Sequence, residues 1–142
     1  MKQVLLATLL LVAVSTNVLN AQDQAMGKIR VTVSEASSDK GNMIIGLYDS
    51  EKKWLEKVYM GMVSEIKDGK CEVLFEKIPY GDYAVSLFHD KNNNKKFDMF
   101  LGFMPKEDYG TSNGAKGNFG PPKWEDAKFK LSEEEKLITI KL

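Results

Sequence analysis

The sequence predicts a mainly β protein: an antiparallel two-sheet β-sandwich of about seven strands carrying one long irregular loop. Three observations point there. Apolar residues recur at every second position in several short runs, Gly, Pro, Asn and Asp punctuate those runs, and no long amphipathic helical pattern occurs.

The 142-residue chain opens MKQVLLATLLLVAVSTNVLNAQ, with Lys2, an apolar run from Val4 to Val14 and small or polar residues up to Ala21. That is the order of a secretory signal peptide, so residues 1–21 are expected to be a leader and residues 22–142 a single exported domain, periplasmic or secreted. The apolar run is shorter than the roughly 20 residues that span a bilayer, and no second such run follows. Without Lys2 the 20 basic and 20 acidic residues become 19 and 20. That balance supplies no basic footprint for nucleic acid. A lone cysteine, Cys71, leaves no intrachain disulfide. It alternates with Val73 and Phe75 and reads as a buried structural thiol.

The elements follow in order. Ile29, Val31 and Val33 alternate with Arg30, Thr32 and Ser34 in a half-buried strand. Met43 to Tyr48 is a short apolar strand expected to be covered on both faces, with Gly46 marking a close approach or a bulge. Residues 49–58 predict one or two helical turns, with Trp54, Leu55 and Val58 on one face. Two strand-like runs, 59–66 and 70–78, flank Lys67-Asp68-Gly69 and predict a β-hairpin. After a Pro79-Gly81 turn, Tyr83, Val85, Leu87 and His89 share one strand face, and Ala84, Ser86 and Phe88 the other. The pattern stops from Lys91 to Asp126 and resumes at Ala127, Phe129 and Leu131, then at Ile138, Ile140 and Leu142.

An irregular connection of that length is uncommon in a small domain unless it is functional or disordered. Its Phe97, Phe100, Leu101, Phe103, Met104, Tyr109, Phe119 and Trp124 are expected to fold back onto the sandwich and order it. At its start, HDKNNNKKFD places oxygen-bearing side chains at Asp90, Asn92, Asn94 and Asp98, a spacing that lets several oxygens meet one hard cation. The expected cofactor is Ca²⁺, bound weakly at about 10⁻⁴ to 10⁻³ M, because Lys95 replaces the glycine at the sixth loop position and Leu101 the glutamate at the twelfth. The alternative is an Asn-rich turn whose side chains cap their own backbone.

His89 is the only histidine, so any histidine-dependent catalysis must use it. No G-x-S-x-G elbow is present, and one His with one Cys cannot supply a zinc ligand set. His89 on the face of Val85 and Leu87 reads first as a hydrogen-bonded residue at the core rim. His89, Tyr109, Phe119 and Trp124 are the candidate binding residues; stacking on a glycan or anchoring an unknown protein partner are the uses considered. As plugs for one end of the sandwich, the same aromatics have a structural reading. The functional expectation is an exported non-enzymatic binding or structural module, and the alternative is a secreted hydrolase using His89 with Asp90 or Asp98. Two acidic residues in one loop are, separately, the kind of pair a glycosidase uses.

The segments PYGDYAVSLFHDKNNNKKFD, GFMPKEDYGTSN and FGPPKWEDAKF resemble the uncharacterised exported bacterial family catalogued as domain of unknown function 2141. The resemblance runs over nearly the whole exported chain. It implies an envelope-associated or secreted β-sandwich, immunoglobulin-like or prealbumin-like, with no established activity. Family members carry glycines inside the asparagine loop, where this chain has Asn93 and Lys95.

Overall fold

The computed structural model describes residues 23–142, and the expected leader lies outside them. The strands are β1 (Met26–Ser34), β2 (Asn42–Tyr48), β3 (Met60–Glu65), β4 (Cys71–Pro79), β5 (Gly81–Asp90), β6 (Met99–Phe100), β7 (Met104–Pro105), β8 (Tyr109–Thr111), β9 (Phe129–Leu131) and β10 (Glu135–Lys141). One four-residue helix, α1 (Trp124–Ala127), precedes β9.

Two sheets share one core. The smaller has the order β10-β1-β4; the larger runs β3-β2-β5-β8, with β9 beside the first residues of β5. Period-two alternation determines what each contributes. Ile29, Val31, Val33, Phe75, Ile138 and Ile140 of the first sheet pack against Met43, Ile45, Leu47, Tyr83, Val85 and Leu87 of the second, all buried. The opposite face of β1 is polar: Arg30 bridges Glu72 and Glu135 on the neighbouring strands. Burial of the alternate residues therefore holds the two layers together.

Four expectations need correction. The sheets are not wholly antiparallel, because β10 runs parallel to β1 from Lys28↔Glu135 to Ser34↔Lys141. The chain reaches that edge by leaving the larger sheet after β9, so the last two strands cannot form a local hairpin.

Residues 59–78 also do not form one. The turn itself is present: Asp68 and Gly69 have φ of 53° and 70°, and Lys67 and Lys70 exchange both backbone hydrogen bonds. Beyond that single pair the strands part, β3 joining β2 and β4 joining β1. The turn is thus a corner between sheets. It is held by Asp39, whose carboxylate accepts from the backbone N–H of Asp68 and Gly69 at 2.9 and 2.8 Å, and buried Ile66 wedges beside it.

Gly46 marks no bulge, since the register of β2 is continuous on both sides. A Cβ there would meet Val58 at 2.9 Å and the Tyr48 ring at 3.1 Å, so glycine makes room for side chains. Residues 49–58 turn as expected: a 3₁₀ turn at Glu51–Lys53 is followed by the N–H groups of Glu56 and Lys57 donating to Lys53 O. Of the expected apolar face, Trp54 is half-buried while Leu55 and Val58 remain exposed. Cys71 points toward the core but is only half-buried, and burial raises its thiol pKa.

Candidate functional site

β5 carries the candidate residues to one end of the larger sheet. His89 is fully buried there; its ring Nε2 lies 2.6 Å from the carbonyl oxygen of Lys40, which requires the proton on Nε2. Its Nδ1 has no hydrogen-bond partner among the described residues. The backbone N–H of His89 donates to Asp108 O, tying β5 to the segment just before β8. Gly41 lies across from this point with φ +73°, and a Cβ there would fall 1.9 Å from Asp90 O. Only glycine lets the β2 entry pass so close to the loop root.

Asp90, 1% exposed, is the root of the asparagine loop. Its two carboxylate oxygens accept the N–H groups of Asn94 and Lys95 at 3.2 and 2.8 Å. Asn92 and Asn94 each donate from Nδ2 to Asp98 Oδ2 at 2.8 Å. Their Oδ1 atoms accept the N–H of Asn94 and Lys96. The four sequence-predicted metal residues are thus brought into one network. Asn93 and Lys95 both have positive φ, the backbone that a glycine would adopt without cost, and Asn93 is tied to Asn42 by a 2.8 Å side-chain bond. Among the described residues no three His, Cys, Asp or Glu side chains converge as a metal-binding group. Any site in this loop therefore depends on its amides.

One participant escaped the sequence reading. Glu107, 7% exposed, accepts the Asp98 N–H at 3.1 Å through Oε2, while its buried Oε1 has no hydrogen-bond partner among the described residues. It stands outside calcium-loop spacing; the only sequence signal was its place in the Pro105-x-Glu107-x-Tyr109 motif. Neighbouring Asp108 accepts from Ser37 and Lys91, and these bonds hold its carboxyl below the usual aspartate range.

The aromatic residues divide. Trp124 is buried on the outer face of the larger sheet with Tyr48, Ala84 and Ala127, and Trp54 packs edge-on to both Tyr48 and Trp124. It is a plug, and neither Trp124 nor His89 offers a surface to a ligand. Tyr109 is exposed and packs edge-on against Phe97, which in turn contacts Phe88 at 5.3 Å between centroids. Phe119 is fully exposed. Between β6 and β7 three residues, Leu101 to Phe103, turn the chain with positive φ at Leu101 and Gly102 and make a small projecting hairpin. Phe100, Leu101, Phe103 and Met104 stand exposed on it, with Met99 and Phe97 at its base. The expectation that these side chains fold back fails, because the paired strands are two residues long and reach no sheet edge.

The larger surface groove is lined by Glu107, Asp108, Tyr109, Gly110, Lys116 and Thr139 among others, and does not include His89. No described helix is long and apolar enough to cross a membrane.

A family described as an uncharacterised protein conserved in bacteria (DUF2141) matches residues 31–139. The chain belongs to that family. No curated protein matches it, and no solved structure does.

Proposed function

We propose that this protein is an exported, non-enzymatic binding module whose working part is the projecting hairpin at residues 97–105, braced from beneath by a Ca²⁺-binding asparagine loop. One observation carries the reading. Six apolar side chains from Phe97 to Met104 stand partly or largely exposed on a tip whose base, at Asp98, is hydrogen-bonded to Asn94 and Glu107. Contiguous apolar exposure of this kind marks contact surfaces more often than scattered exposed residues do. Tyr109, packed edge-on against Phe97, and Phe119 extend the same segment's aromatic surface toward a protein or glycan.

Burial of both His89 and Asp90 favours this over the hydrolase reading, since neither side chain can meet a substrate as the loop stands.

A photo-crosslinking residue at Leu101 or Phe103, introduced into the chain in its native cell, tests the reading. Val63, an equally exposed apolar residue on β3, is the control. A discrete adduct from the tip and none from Val63 is the expected result; equal labelling from both positions would refute it. Fractionation of the same cells checks export: the protein should be found in the periplasm or medium, not the cytoplasm.

A further inference from the structure

We infer that the hairpin at residues 97–105 docks on an anionic lipid bilayer, its apolar tip entering the interface while lysines at its base meet the lipid phosphates. Naming a bilayer as the partner rests on the reading of that tip as the working part.

Shape and exposure come first. Leu101 is 74% exposed, Phe103 67% and Phe100 50%, all between β6 and the first residue of the turn's return. The two short strands pair only with each other, and the groove beside β8 and β10 takes in none of these three side chains. The apolar surface is therefore a projection, without the concave walls that enclose a small ligand. From Asp98 to Leu101 the chain reaches about 10 Å at the usual strand rise. That matches the roughly 5–10 Å to which interfacial apolar elements sink into the headgroup boundary.

Charge then selects the surface. Lys95 and Lys96 immediately precede Phe97, and Lys106 follows Pro105. The Lys106 N–H donates to Asp98 O across the base of the hairpin, so cations flank both of its strands at one level. All three lysines are exposed, and none makes an ion pair among the described residues. Lys106 Nζ lies over the Phe100 ring, so its stem runs along apolar surface while its charge stays at the rim. The acids of the same stretch are turned away or used: Asp90 and Glu107 are buried, Asp98 accepts both asparagine amides, and Asp108 pairs with Lys91. An apolar tip followed by ammonium groups matches the layers of an anionic bilayer, hydrocarbon and then phosphate. A protein partner would need a fitted hydrophobic socket with an acidic rim; a fluid bilayer supplies both without fitted shape.

The test is co-sedimentation of residues 22–142 with vesicles of phosphatidylcholine alone or mixed with phosphatidylglycerol. The wild type should bind the mixed vesicles, and the pure phosphatidylcholine vesicles at least about fivefold more weakly, the worth of one lysine at an anionic surface. Leu101→Ser with Phe103→Ser should weaken binding at least about tenfold by removing two inserting side chains. Lys95→Gln with Lys96→Gln should cost roughly tenfold on the mixed vesicles only. Val63→Ser, away from the tip, should change nothing, and circular dichroism establishes that each variant is folded. In Phe103→Trp the fluorescence emission should move to the blue when mixed vesicles are added. No binding by the wild type, unchanged binding in the folded tip variant, or an equal loss in Val63→Ser would overturn the proposal. A protein adduct captured from Leu101 without any vesicle binding would overturn the bilayer as partner and leave the tip as the working part. Equal labelling from the tip and from Val63 would instead remove both.

Discussion

Two apolar groups lie outside the main core, and they meet opposite fates. On the outer face of the larger sheet, Tyr48, Ala84, Trp124 and Ala127 form a closed patch with Trp54 over it. On the β6–β7 hairpin, Phe100, Leu101, Phe103 and Met104 stay in solvent. Both groups are apolar; one difference is attachment. Around the closed patch, Ser112 accepts from Val85 N–H and donates to Ala127 O, Asn113 donates to Asp126 O and Lys128 O, and Trp54 donates to Pro122 O. Each bond stitches the long segment to a strand or to itself across the patch. The hairpin is stitched only at its base, through Asp98 and Glu107, and Lys106 N–H bonded to Asp98 O. Apolar side chains settle where backbone polar groups can also be satisfied.

The comparison is sharpened most by Trp124→Ala. It should remove about 3–5 kcal/mol of stability, as aromatic truncation in a packed site does, read from denaturant unfolding. Ser112→Ala leaves the Val85 N–H and the Ala127 carbonyl without their partner and should cost about 1–3 kcal/mol. By contrast Leu101→Ser or Phe103→Ser should change stability by less than about 0.5 kcal/mol, because these side chains bury little. A tip variant as destabilising as Trp124→Ala would break the comparison. Lys95→Gly acts on the asparagine loop instead. A lysine at φ 61° pays a conformational cost that glycine avoids, so the substitution should tighten Ca²⁺ binding by less than about twofold in a calorimetric titration.

Acid should act through the two aspartates that hold the corner and the loop base. Asp39 is held below its usual 3.8 by the Gly69 and Asp68 N–H groups, and Asp108 by Ser37 and Lys91. Their folded values are depressed, so their stabilisation is fully present above the unfolded value and is lost as pH falls through the folded one. Stability should therefore decline as pH drops below about 4, and Asp39→Asn should flatten part of that decline in acid unfolding curves.

Much of this architecture was legible in the residues. The alternation of Ile29, Val31 and Val33, and of Tyr83 through His89, names the core faces directly, because strand geometry allows only that assignment. The Asp68-Gly69 turn was legible as well. Its strands were not, since choosing β1 or β2 as partner depends on long-range burial that a local turn does not encode. The asparagine loop could be read from spacing, whereas Glu107 could not: it meets the Asp98 N–H only because the chain returns past Asp98 toward β8. The exposed tip was misread for a related reason. Composition says that phenylalanines seek cover, but not whether any surface is within reach.

Amide hydrogen exchange along residues 85–126 tests the division most directly. Slow exchange is expected at Val85, His89 and Lys106, whose N–H groups anchor the segment, and fast exchange from Leu101 to Phe103 and around Phe119. If the anchoring amides exchanged as quickly as those near Phe119 while β1 and β2 stayed protected, the segment would have no fixed base, and a tip presented from it would be physically untenable.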